Sequence, residues 1–73
     1  MKLGELLTRV SLSTCVRVLE ITNPSNDFKL VGEWSTMSER NEFNERANVC
    51  GYYDHKVNFI RVIDNVLEVH IYE

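Results

Sequence analysis

Cysteine is scarce in this chain, and basic clusters and long apolar runs are missing altogether. Two cysteines in 73 residues, Cys15 and Cys50, make no disulfide framework. A secreted domain of this size usually carries more. No apolar stretch approaches the roughly 20 residues that span a bilayer. The first residues alternate polar and apolar, unlike the apolar centre of a signal peptide. Asn23-Pro24-Ser25 places a proline where a glycosylation acceptor cannot hold one. These absences predict a cytoplasmic protein. The eight lysines and arginines are dispersed and the isoelectric point lies near 5.3. That argues against binding nucleic acid through its phosphates and against adhesion to an anionic membrane. No repeat, low-complexity tract or linker divides the chain, so one small domain is expected over residues 1–73.

What is present is the composition of a folded chain, 44% hydrophobic. A domain this short buries only about 60% of the surface its unfolded form exposes, so its stability margin is narrow. The clearest signal is at the end. Val57–Ile63 and Val66–Tyr72 read as two strands, and Asp64-Asn65 between them suits a two-residue hairpin turn, because Asp and Asn tolerate left-handed backbone angles.

Earlier in the chain, Leu3, Leu6, Leu7 and Val10 form the apolar stripe of a short amphipathic helix, ended by Ser11-Leu12-Ser13. Thr14–Ile21 reads as a strand, with Val16 and Val18 on one face and Cys15, Arg17, Leu19 and Ile21 on the other. Asn23–Asp27 is dense in turn formers. Phe28–Trp34 resumes as a strand with Phe28, Leu30, Gly32 and Trp34 expected to share a face. Thr36-Met37-Ser38-Glu39 fits a capping box and opens a short, mostly exposed helix.

The order is α-β-β-α-β-β. It predicts an α+β fold, a four-stranded, mostly antiparallel sheet of two hairpins with the N-terminal helix packed on it. Leu6, Leu7, Val16, Val18, Leu30, Leu67, Val69 and Ile71 are the expected core. The penultimate strand is apolar on both sides: Val57, Phe59 and Ile63 on one, Ile60 and Val62 on the other. A doubly apolar strand asks for cover twice, so a homodimer is expected, through a sheet face or an edge strand.

Taken together, Lys2-Leu3-Gly4-Glu5-Leu6-Leu7, Val16-Arg17-Val18, Gly32-Glu33 and the closing Asp64-Asn65-Val66-Leu67-Glu68-Val69-His70-Ile71 resemble a group of small proteins from phages and mobile elements of Firmicutes. Such proteins begin with an LxELL helix and end in a D-x-x-L-x-V-x-I hairpin. The resemblance implies a genomic setting more than a chemistry. Some small phage-borne proteins inhibit bacterial defence systems, anti-CRISPR proteins among them, so a host protein becomes a candidate partner.

Chemistry-bearing residues are few. Cys15, Cys50, His55 and His70 are candidate zinc ligands, but only Cys50 and His55 come near the spacing of structural zinc sites. A metal or small-ligand site around Cys50–His55 is therefore the alternative function, and no metal or other cofactor is expected. Tyr52-Tyr53-Asp54-His55 gathers a general base beside a carboxylate, yet no serine or cysteine nucleophile stands in a recognisable context. No catalytic residue is assigned and no enzyme is expected. His70 reads most simply as a solvent-side strand residue.

The charge is unevenly placed. Residues 33–54 hold Glu33, Glu39, Glu42, Glu45 and Asp54 against Arg40 and Arg46, so the whole net charge of −3 lies there, and elsewhere six acids meet six bases. The expected function is protein binding through this segment. Glu39, Glu42 and Glu45 would steer the encounter, and Trp34, Tyr52 and Tyr53 would anchor it. Two plainer readings compete: a solvated helix face for the glutamates, and core packing for Trp34.

Overall fold

Four segments in which β-branched and aromatic residues recur become strands: β1 (Cys15–Thr22), β2 (Asp27–Trp34), β3 (Val57–Ile63) and β4 (Val66–Tyr72). Helix α1 (Leu3–Leu7) precedes them, and α2 (Met37–Cys50) links the two hairpins through a single 3₁₀ turn at Tyr52–Asp54. The structure is a computed structural model that describes residues 1–11, 13–22 and 27–72. Residues 23–26 of the expected loop at Asn23–Asp27 lie outside the described residues, and Asp27 already belongs to β2. Helix α1 ends at Leu7 with Thr8 as its C-cap, a turn short of the stop expected at Ser11-Leu12-Ser13, so Val10 does not extend the helix.

The fold is α+β with the element order read from the sequence. The sheet runs β2-β1-β4-β3. Both hairpins are antiparallel, as expected, and they join through the parallel central pair of β1 and β4. Asp64 and Asn65 adopt φ of 51° and 64°, the double left-handed geometry of a type I′ turn. At α2, Glu39 N–H donates to Thr36 Oγ1 at 3.2 Å, and Glu39 Oε1 accepts from the Thr36 hydroxyl and from Ser35 N–H. The first bond caps the helix start, and the bonds to Oε1, the Ser35 amide foremost and then the Thr36 and Ser35 hydroxyls, hold the Glu39 carboxyl below its usual range. Gly51, at φ 73°, ends the helix in the left-handed conformation.

Both helices lie on one face of the sheet. Leu3, Leu6 and Leu7 from α1 and Phe43 and Ala47 from α2 join Val16, Val18, Val31, Trp34, Val69 and Ile71 in the core. The molecule is thus two layers deep, with extents of 34 × 29 × 19 Å.

Two bulges correct the expected faces. In β2 the register shifts opposite Val18 and Leu19, so Gly32 and Trp34 face the helices while Phe28 and Leu30 face the other way. Leu30, expected in the core, is 54% exposed, and Val31 at the bulge is buried in its place. In β3 a shift between Val57 and Phe59 turns Val57 toward the core, on the side of Ile60 and Val62 and away from Phe59. Leu67 is half-buried.

Candidate functional site: the bare sheet face and its acidic flank

The face opposite the helices is built from alternate residues of all four strands. One row crosses it with alternating charge: Glu33 (β2), Arg17 (β1), Glu68 (β4) and Arg61 (β3), all placed side by side by the strand registers. Arg17 Nε donates to Glu33 Oε2 at 3.0 Å, and its Nη1 lies 3.5 Å from Glu68 Oε2. Arg61 donates to Glu68 Oε1 through Nε at 2.9 Å and Nη2 at 2.8 Å. Glu68 is buried, and a buried carboxylate needs this compensation. A hydrogen bond from His70 Nε2 at 2.6 Å, with the Arg61 pair, keeps its carboxyl below the ordinary range.

His70 corrects the sequence reading. It sits on the expected face but is only 2% exposed. Phe59 stacks on its ring at 4.1 Å and Phe28 meets it edge-on at 5.0 Å. The two rings close over the imidazole, and its Nδ1 has no hydrogen-bond partner among the described residues. Phe28 and Phe59 nevertheless remain 58% and 41% exposed on their outer sides.

The residues proposed for partner binding fall into two groups that the fold separates. Glu39, Glu42 and Glu45 lie with Arg46 along one flank of α2 and line, with Glu33, a shallow open depression of about 480 Å³. Glu33 also belongs to the charged row, so the acidic flank and the bare face are continuous. Trp34 is elsewhere. It is 1% exposed and packs at 4.6 Å against Phe43 in the core, with the Arg40 guanidinium over its ring, so no anchoring role is open to it. Tyr52 and Tyr53 are half-buried against the core. Tyr53 meets the Phe43 ring edge-on and donates its hydroxyl to Asn44, and burial raises its phenol above the usual value. The tyrosines tie α1 and α2 together on the flank away from the glutamates, where Gly4, Arg40, Asn44 and Tyr53 share a second depression.

The Cys50–His55 pair is not assembled as a site. Cys50 ends α2 in solvent, while His55 Nδ1 lies 2.8 Å from the Tyr72 carbonyl and 3.4 Å from Glu20. Asp54, the candidate orienting carboxylate, pairs instead with Lys2 at 3.7 Å. Among the described residues, no group of three or more His, Cys, Asp and Glu side chains gathers as a metal site would require. No described helix is long and apolar enough to cross a membrane.

Sequence reasoning missed Arg17, Phe28, Leu30, Phe59, Arg61 and Glu68 as a set. The period-2 pattern held the signal for β1 and β4, but the β2 bulge carries no residue mark that sets Leu30 apart from Trp34.

Fold and site together define a two-layer α+β domain with one sheet face that no described helix covers. The chain matches no family model, and no curated protein and no solved structure is significantly similar to it.

Proposed function

We propose that this protein is a non-enzymatic protein-binding module that occupies a partner's surface with its bare sheet face. The observation that carries the reading is the exposure of Phe28, Leu30 and Phe59 together on one side of a charged row that is internally neutral. A contiguous apolar surface rimmed by polar groups is how interaction sites look on small domains. The acidic flank adjoins it through Glu33. The partner's complementary surface is then apolar at its centre and basic on the side that meets α2. Glu39, Glu42 and Glu45 retain the steering role read from the sequence, and the anchors become Phe28, Leu30 and Phe59 in place of Trp34 and the tyrosines. The resemblance to phage and mobile-element proteins supports a bacterial host protein as the partner, defence proteins among the candidates.

The test has two stages. A partner is first isolated by pull-down and its binding is measured with the purified proteins. Leu30→Asp, at an exposed position, is expected to weaken that binding by at least about tenfold, since a charge would be desolvated without a partner. The triple variant Glu39→Gln, Glu42→Gln, Glu45→Gln is expected to slow association and flatten its salt dependence. A partner held equally well by Leu30→Asp would overturn the face assignment, and unchanged association kinetics in the triple variant would overturn the steering role.

A further inference from the structure

The charged row on the bare face is its own complement. From β2 to β3 it runs Glu33, Arg17, Glu68, Arg61, that is minus, plus, minus, plus. Turned end for end it runs plus, minus, plus, minus. Its two ends, Glu33 and Arg61, are exposed, while Glu68 is buried between the two arginines. The next row across the four strands is Leu30, Leu19, His70 and Phe59, with Leu30 and Phe59 exposed at its ends. The row carries no formal charge with His70 neutral. A surface that matches itself after rotation is what a two-fold contact between identical chains requires.

We propose that a second copy of this chain stacks on the bare face, about a two-fold axis that runs parallel to the strands between β1 and β4. Sheets pack face to face either nearly aligned or nearly at right angles. A right-angled stack would lay the charged row across apolar ones. In an aligned stack, the axis along the strands returns each row to itself, reversed: β2 lies over the second copy's β3, and β1 over its β4. Glu33 then faces the second copy's Arg61 at both ends of the row, Arg17 faces the position of its Glu68, and Leu30 meets its Phe59. An axis across the strands would put every strand over its own counterpart. Glu33 would face Glu33 and Arg17 would face Arg17 where the charged rows coincide, and elsewhere charge would lie on apolar surface. The charge order thus selects one of the arrangements, with the helices outermost in an α-β-β-α stack. Four strands about 4.8 Å apart, rising about 3.3 Å per residue, make a face of only roughly 400 Å². Such a contact is at the low end for a specific interface, so the dimer is weak and the face is free in dilute solution. The second copy occupies the face assigned above to a host protein, so the two exclude each other.

Sedimentation equilibrium on the purified chain tests this without any partner protein, so its failure is distinct from failure of the proposed binding function. The wild type is expected to dimerise with a dissociation constant of about 10–100 μM. Leu30→Asp, at an exposed position, is expected to raise that constant at least about tenfold while its circular-dichroism melt at low concentration stays unchanged. Glu33→Gln is expected to weaken the dimer at least about threefold, because its pair with the second copy's Arg61 occurs twice. With the axis across the strands the same variant would tighten the dimer by relieving Glu33 against Glu33. Val62→Lys, exposed on the helix side of β3, is expected to leave the dimer intact. A wild type that stays monomeric at hundreds of micromolar, a Leu30→Asp dimer of undiminished affinity, a Glu33→Gln dimer as tight as the wild type or tighter, or loss of the dimer in Val62→Lys would each overturn the proposal.

Discussion

A methyl group on Gly32 would stand where the ring of Phe43 lies, and that ring is in turn held against Trp34. Neither aromatic is a flexible side chain that could yield cheaply. Gly32→Ala is therefore expected to destabilise the fold by about 1–3 kcal/mol, the usual cost of overpacking, read as a drop in the urea midpoint. Glu68 makes the opposite point, that a buried charge depends on its neighbours. Arg17 from β1, Arg61 from β3 and His70 from its own strand surround it. Because its folded pKa lies below the unfolded value, the stability it contributes is complete above about pH 5 and is lost as pH falls through the folded value. The wild type is expected to exceed Glu68→Gln in urea midpoint at pH 7, by an amount that shrinks steadily toward pH 3. A constant difference across that range would contradict the assignment.

At the scale of elements, α2 is held mainly by its ends and by two side chains. Only Phe43 and Ala47 are buried along its 14 residues, so the caps carry unusual weight. Thr36→Ala removes the bond to the Glu39 amide and is expected to cost about 1 kcal/mol. Circular dichroism should show the loss as a lower melting temperature with helix content retained below the transition. The hairpins behave differently. Their turns and registers are local, but the two bulges decide which residues reach which face, and one bulge moved Leu30 out of the core.

For the whole molecule the consequence is one-sidedness. The sheet has a dry face and a wet one, and single substitutions should separate them. Leu7→Ala, in the dry layer, is expected to cost about 3 kcal/mol, and Leu30→Ala, on the bare face, under about 1 kcal/mol. Urea denaturation of both variants in the same buffer checks this, and equal losses would mean that the bare face is covered in solution. A domain this small tolerates an uncovered face because its core is concentrated on the other side, where three leucines, Trp34 and Phe43 fill the space between helix and sheet.

What the sequence determined by itself is the part governed by near neighbours along the chain. The order of elements, the Asp64-Asn65 turn, the Thr36–Glu39 cap and the short first helix all follow from residues within four positions of each other. The concentration of negative charge before residue 55 was equally legible, since it needs no geometry. The parallel join of β1 to β4 was decided only in three dimensions, and so was the choice of face for Leu30 and Val57. The burial of His70 between Phe28 and Phe59 depends on residues more than ten positions away in both cases. The row from Glu33 to Arg61 draws on four strands, and no spacing along the chain encodes a register between strands that meet only after the sheet has closed.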